Sequence, residues 1–197
     1  MGARGSEAVR LALPPWDVHS DDELMRLASA GQRAAYEALV RRHQARLRAY
    51  CARWCGSAVA GDDLAQECFV EVWERRSGYV AQGKFKSYLF QIAANRCKNQ
   101  VRSEQRARAA TDAGGAHVHA EPPGSDRFAI AQRQERLQHG LSKLSDVQRE
   151  AVLLRYSAEL DYGEIASLLG VPEPTLRSRV FLGLIKLRRL LRVEQTR

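Results

Sequence analysis

Apolar residues recur along this chain at helical spacing, in segments punctuated by capping residues, glycine and proline. Ser20 and Glu23 form a capping box that opens a helix at Asp21. A longer helix after Gly31 carries Tyr36, Leu39, Val40, Leu47, Tyr50, Cys51 and Trp54 as its buried stripe and is expected to end near Gly56. A third, from about Asp62 to Glu74, is expected to bury Leu64, Cys68, Val72 and part of Trp73, leaving Glu67, Glu71 and Glu74 on one face. "RRSGYVAQGKF" breaks the period and predicts a loop. A fourth helix, about Lys86 to Arg106, would bury Tyr88, Leu89, Ile92 and Ala93 and present Asn95, Arg96, Lys98, Asn99 and Arg102.

From Ala107 to about Arg127 the text is rich in Ala, Gly and Pro, which predicts a flexible connector. Periodicity returns with Ile130, Leu137, Leu141 and Leu144. A second capping box, Ser145 with Gln148, precedes a helix carrying Val152, Leu153 and Tyr156. Asp161 and Glu164 start a short helix with Ile165, Ala166 and Leu169 on one face, and Gly170 suits the left-handed residue that ends it. Pro172 and Pro174 are tolerated in a first turn, where amides lack intrahelical partners. The next helix therefore starts near Pro172, with Leu176, Val180, Leu184, Leu187 and Leu191 as its stripe and Arg177, Ser178 and Arg179 off it. That is a helix-turn-helix pattern, although an ordinary helical hairpin with solvated arginines would give the same text. No strand-like alternation persists, so the expected fold is all-α, with two small helical lobes joined by a flexible linker.

Charge turns this outline toward nucleic acid. Thirty-one Lys and Arg against 23 Asp and Glu give a net charge of +8, which suits a polyanionic partner. No apolar run approaches a membrane span and no export signal opens the chain, so a cytoplasmic protein without membrane insertion is expected. "MGARGS" matches the loose acylation pattern, which is common by chance. The four cysteines, Cys51, Cys55, Cys68 and Cys97, contain no C-x-x-C pair and are expected to be reduced. Cys51 and Cys55 share a helix face and read as core packing; His117 and His119 lack nearby ligands. No metal or cofactor is expected.

Three segments, in order, resemble the extracytoplasmic-function (group IV) sigma factors of bacterial RNA polymerase. "GDDLAQECFVEVWERR" is similar to the family's polymerase-docking segment, and "FKSYLFQIAANRCKNQVRSEQR" to its promoter-melting, −10-reading helix. "LSKLSDVQREAVLLRYSAELDYGEIASLLGVPEPTLRSRV" is similar to region 4, which reads the −35 element. The resemblance implies an N-terminal tail over 1–19, region 2 over 20–106, a linker over 107–128 and region 4 over 129–193. It makes the surface around Asp63, Gln66, Glu67, Phe69 and Glu71 the dock for the polymerase β′ clamp helices. It places the flipped −10 base between the loop at about Ser77 to Lys84 and the helix near Asn95, with Phe85, Lys98, Asn99 and Arg102 as further single-strand contacts. An Asn can both donate to and accept from a base edge once the base is extruded. Asn99 stands where many relatives carry Asp.

Thr175, Arg177, Ser178 and Arg179 become the duplex-reading set, while Leu182 and Leu184 replace basic phosphate contacts common in relatives. The implied partners are core RNA polymerase (β′ and β subunits), promoter DNA and an anti-sigma protein, with a monomer when free. The implied protein is not an enzyme. Its rivals are an independent helix-turn-helix regulator, a nuclease whose carboxylates lack metal-ligand spacing, and a protein-binding adaptor. The regulon, the inducing signal, the inhibitor's identity and any redox role of Cys51 and Cys55 have no signature in the sequence.

Overall fold

The computed structural model describes residues 16–110 and 125–193, which form eight α-helices and two 3-10 turns. In the capping box at Ser20, the hydroxyl accepts from the Glu23 N–H at 3.2 Å, and the Glu23 carboxylate accepts from the Ser20 N–H at 2.7 Å. It opens α1, Asp21–Ser29. A 3-10 turn, Trp16–Val18, precedes it with Trp16 buried, so the expected tail over 1–19 contributes to the core at its end. Residues 1–15 lie outside the described residues.

Helix α2 spans Arg33–Cys55 and stops at Gly56, which has φ of 76°. Helix α3, Ala58–Glu74, begins four residues before the expected Asp62 because Ser57 caps it and Gly61 does not interrupt it. A Cβ at Gly61 would lie 2.5 Å from the Ala52 N and Cα, so α2 and α3 meet backbone to backbone. Helix α4 spans Phe85–Ala110, with Leu89 and Phe90 fully buried and the Phe90 ring edge-on to Tyr50 at 5.3 Å. Burying one such aromatic or leucine stabilises a fold by about 1.5–3 kcal/mol, and this first group of helices buries many.

Helix α5, Ser125–Ser142, starts sooner than the expected connector allows, and the connector's centre, 111–124, lies outside the described residues. Helix α6, Asp146–Tyr156, follows its Ser145–Gln148 capping box. Helix α7 spans Tyr162–Leu169 and ends at Gly170, whose φ of 64° is the left-handed conformation the sequence requires there. Helix α8 spans Glu173–Val193. Its stripe departs from expectation at one step. Leu184 is 37% exposed and Gly183 is buried instead, where a Cβ would come within 2.9 Å of Val152 Cγ2. The buried line is therefore Leu176, Val180, Gly183 and Leu187, and Phe181, Leu182 and Ile185 also face outward.

The two groups of helices meet along a polar seam. Arg46 pairs with Glu159 at 2.6 Å, Lys86 Nζ donates to the Glu159 carbonyl at 2.8 Å, and Arg53 donates to Ser157 Oγ at 3.2 Å. Lys98 Nζ lies 2.6 Å from Glu150 Oε1, a charge contact without hydrogen-bond alignment. Tyr50 Oη, Trp54 Nε1 and Arg149 Nε are buried at the same seam with no hydrogen-bond partner. Each such orphan costs about 1–3 kcal/mol, whereas an exposed ion pair returns about 0–1.

Candidate nucleic-acid interface

The loop that precedes helix α4 is held from elsewhere. Asp22 of α1 accepts from Tyr79 Oη at 2.6 Å and from the Gly83 N–H. Ser29, at the other end of α1, donates to the Arg76 carbonyl at 2.6 Å. Burial, and then the Asp22 carboxylate, push the Tyr79 hydroxyl well above its usual range, so it remains a donor. The Tyr79 ring packs on Tyr88 at 5.3 Å and edge-on to Phe85 at 6.0 Å. Between this loop and α4 lies an open cleft of about 430 Å³, bordered by Tyr79, Gln82, Lys84, Ser87, Tyr88 and Gln91. A second cleft, about 770 Å³ between α3 and α4, contains Tyr88, Gln91, Asn95, Asn99 and Arg96. Tyr88 and Gln91 border both, so the two clefts form one track along α4.

Of the residues expected at single-stranded DNA, Asn95, Asn99 and Arg102 are exposed, the first two in the second cleft. Lys98 points to the opposite side, onto Glu150. Phe85 requires a correction. It is 2% exposed, packed against His43 and Tyr79, and supports the cleft from below with no face open to a base. Tyr88 and Gln91 hold the position expected of Phe85. The periodicity of α4 marked Tyr88 as core, and it is half-buried because its ring lines the cleft.

The expected docking face also divides. Asp63, Gln66 and Glu67 are exposed. Phe69 is buried, its carbonyl accepting from Tyr36 Oη, and so belongs to the core. The Glu71 side chain is only 14% exposed and is held by Arg96 Nε at 2.6 Å and Arg75 at 2.8 Å. Arg96 also pairs with Glu67 at 2.5 Å. One arginine of α4 thus neutralises much of what reads in sequence as an acidic stripe.

The second basic surface is built locally. Asp161 accepts from the Glu164 N–H at 2.7 Å to start α7, and Gly170 turns the chain into α8. Thr175, Arg177 and Ser178 are exposed and Arg179 is half-exposed on the first turns of α8. Arg177 lies over the Tyr162 ring at 4.2 Å and pairs with Glu173 at 3.1 Å, so its guanidinium is aimed before any ligand arrives. Ser178 Oγ donates back to the Pro174 carbonyl at 3.0 Å. Helix α7 also covers the first cleft, where Glu164 accepts from Ser87 Oγ at 3.1 Å and its other carboxylate oxygen lies 4.0 Å from Lys86 Nζ. Among the described residues, no group of three or more His, Cys, Asp or Glu is arranged to hold a metal ion, and no helix is long and apolar enough to cross a membrane.

Comparison with known proteins converges on one family. Residues 39–107 match the profile of Sigma-70 region 2, and residues 134–187 that of Sigma-70 region 4. The chain is 30% identical to the RNA polymerase sigma factor CarQ of Myxococcus xanthus, over 82% of this chain and 91% of that one. It is 29% identical to the ECF RNA polymerase sigma factor SigK of Mycolicibacterium vanbaalenii, over 87% and 89% of the two chains. Among solved structures, CnrH in complex with the cytosolic domain of CnrY superposes with a TM-score of 0.70 at 23% identity, covering 89% of this chain and 99% of that one. RpoE from Bartonella quintana, in complex with the anti-sigma factor NepR, gives 0.67 at 24% identity, covering 80% and 97%.

Proposed function

The chain belongs to the extracytoplasmic-function sigma factors of the sigma-70 family, and we propose that its two groups of helices divide promoter reading by the state of the DNA. As a sigma factor it directs core RNA polymerase to promoters and assists strand opening in transcription initiation. Residues 20–106 are the region 2 unit and 129–193 the region 4 unit, joined by the linker over 107–128 and preceded by the tail over 1–19. The observation that carries this division is the continuous track from the Tyr79–Gly83 loop to Asn99, set against the convex, arginine-bearing start of α8. A concave track lined by a ring and amides suits unstacked bases; a convex helix suits the major groove. Asn95 takes the extruded base, with Tyr88 and Gln91 beside it, Asn99 and Arg102 further along the strand, and Lys98 joining them once released from Glu150. Thr175, Arg177, Ser178 and Arg179 read the duplex. Asp63, Gln66 and Glu67 contact core polymerase.

The seam explains how the free chain keeps this affinity in check. Glu150, Glu159 and Glu164 occupy Lys98, Arg46 and Lys86, and α7 covers the loop cleft. The seam is held by single polar and charge contacts, which suits its separation when core polymerase engages both units. The complex of RpoE with the anti-sigma factor NepR supports a comparable anti-sigma partner for this chain. The chain itself carries no catalytic step and works as a cytoplasmic protein, monomeric when free. The decisive experiment adds the purified chain to core polymerase on genomic fragments. Specific initiation with permanganate-reactive thymines near −10 is expected. Tight binding to a short duplex site by the chain alone, without initiation, would overturn the reading.

A further inference from the structure

Where the backbone turns left-handed, the described residues are glycines with one exception. Gly31, Gly56, Gly83 and Gly170 have positive φ, and so does Glu159, at 54°. A Cβ crowds the neighbouring carbonyl in that conformation, so a glutamate strains the chain where a glycine would not. Helix α6 ends at Tyr156, and the chain leaves it through a turn closed by main-chain bonds alone. The Ala158 N–H donates to the Leu153 carbonyl at 3.0 Å, and the Leu160 N–H to the Leu154 carbonyl at 3.1 Å. Glycine at position 159 would permit the same turn. What glycine cannot supply is the carboxylate, which lies 2.6 Å from Arg46 of α2. The turn also offers the Glu159 carbonyl to Lys86 Nζ at 2.8 Å and Ser157 Oγ to Arg53 at 3.2 Å. Arg46, Arg53 and Lys86, all from the region 2 unit, thus converge on residues 157–159.

We propose that Glu159 is an electrostatic latch between the two units, and that its contact with Arg46 accounts for a glutamate at a position whose backbone favours glycine. A residue in a sparsely populated conformation persists when its surroundings hold it, and here the surroundings include the opposite unit. Both side chains of the pair are open to solvent, so dissolved ions screen it. One such pair contributes little at moderate salt and more at low salt, which makes the latch reversible. Glu159 lies three positions before Tyr162, the first residue of α7. Holding the turn therefore also seats α7 over the cleft bordered by Tyr79, Tyr88 and Gln91.

Small-angle scattering of the full chain across a salt series tests the latch, with circular dichroism confirming that each variant is folded. The parent is expected to be compact at low salt and to expand as salt rises. Glu159→Lys keeps the backbone strain but faces Arg46 with like charge, so it should expand at lower salt. Arg46→Glu should do the same, and the two changes together should restore the parent's behaviour. Glu159→Gly should also expand sooner, yet melt at or above the parent's temperature, because the turn loses its strain along with the contact. A charge swap that leaves the chain expanded would overturn the proposal. So would a Glu159→Gly chain that stays compact to the parent's salt concentration or melts below it. The consequence for DNA rests on the reading of α4 given above. Without polymerase, Glu159→Gly should bind a single-stranded oligodeoxynucleotide a few-fold more tightly than the parent, the scale of one exposed ion pair. The charge-swapped chain, whose net charge is the parent's, should bind as the parent does. Expansion without tighter binding would keep the latch and remove its masking of the track, so the two can fail separately.

Discussion

The two basic helices present the same kinds of side chain, yet they are supported in opposite ways. Helix α8 sets its reading residues with neighbours close in sequence: Glu173 and Tyr162 fix Arg177, and Pro174 holds Ser178. The track proposed on α4 is walled by the loop before it, which α1 holds through Asp22, reaching Tyr79 and Gly83 some sixty residues away. A regular duplex presents its groove to any helix offered at the right angle. A base pulled from the stack must be held by a concave surface, which one helix cannot make alone.

Changes to α8 should therefore act on duplex binding and nothing later. Arg177→Ala with Arg179→Ala is expected to cost about 1–3 kcal/mol per lost base contact and to reduce the salt slope by about one unit per lost phosphate contact. Filter binding of the reconstituted holoenzyme across several salt concentrations measures both. Asn95→Ala should leave that binding nearly intact and reduce opening about tenfold, from the loss of about 1–1.5 kcal/mol of hydrogen bonding to the captured base. A pre-melted template should restore only part, because the bubble removes the unstacking cost and not the missing contact. Equal permanganate reactivity for variant and parent would remove Asn95 from the track.

Asp22→Ala probes the remote support. It leaves Tyr79 Oη and the Gly83 N–H without their acceptor, at about 1–2 kcal/mol, and should lower both thermal stability and opening several-fold while sparing duplex binding. Unchanged opening would mean that the loop holds its shape without α1. The counterpart in the other unit, Tyr162→Ala, removes a ring that lies beneath both Arg177 and Arg155. A loss of about 0.5–1 kcal/mol in closed-complex binding is expected, with helicity unchanged.

The smallest effect is one of pH. Burial acts to raise the Asp21 carboxyl, but the hydrogen bond and charge of His43, with Arg42 beside them, outweigh it and hold the group below 3.8. A carboxyl depressed in the folded state stabilises above its unfolded value and loses that contribution as pH falls through its folded value. The stability difference between wild type and Asp21→Asn should therefore shrink in acid as pH falls below 3.8. A widening difference in acid, followed by thermal melts, would contradict this.

What could be read from sequence follows the same division. The capping boxes and Gly170 depend on residues within a few positions, so spacing alone located them. The brace from Asp22 was illegible, because nothing local distinguishes it from the other acidic residues opening α1. Phe85 was misplaced since an aromatic beside basic and amide residues looks alike whether it faces the cleft or supports it. Glu71 looked free until Arg96, 25 positions away, was found against it. Leu184 fails for a packing reason: α8 comes so close to α6 that the step at Gly183 needs no side chain.

Gly61 lies inside α3, at its fourth residue, where α3 meets α2 backbone to backbone. Its consequence belongs to mutational tolerance. Every substitution there, alanine included, would put a carbon 2.5 Å from main-chain atoms of Ala52, which cannot swing aside as a flexible side chain would. In a saturation library selected for a functional product, position 61 should accept a single letter, while its exposed neighbour Asp62 accepts many. One hydrogen atom in place of a methyl group is what allows this hairpin to close.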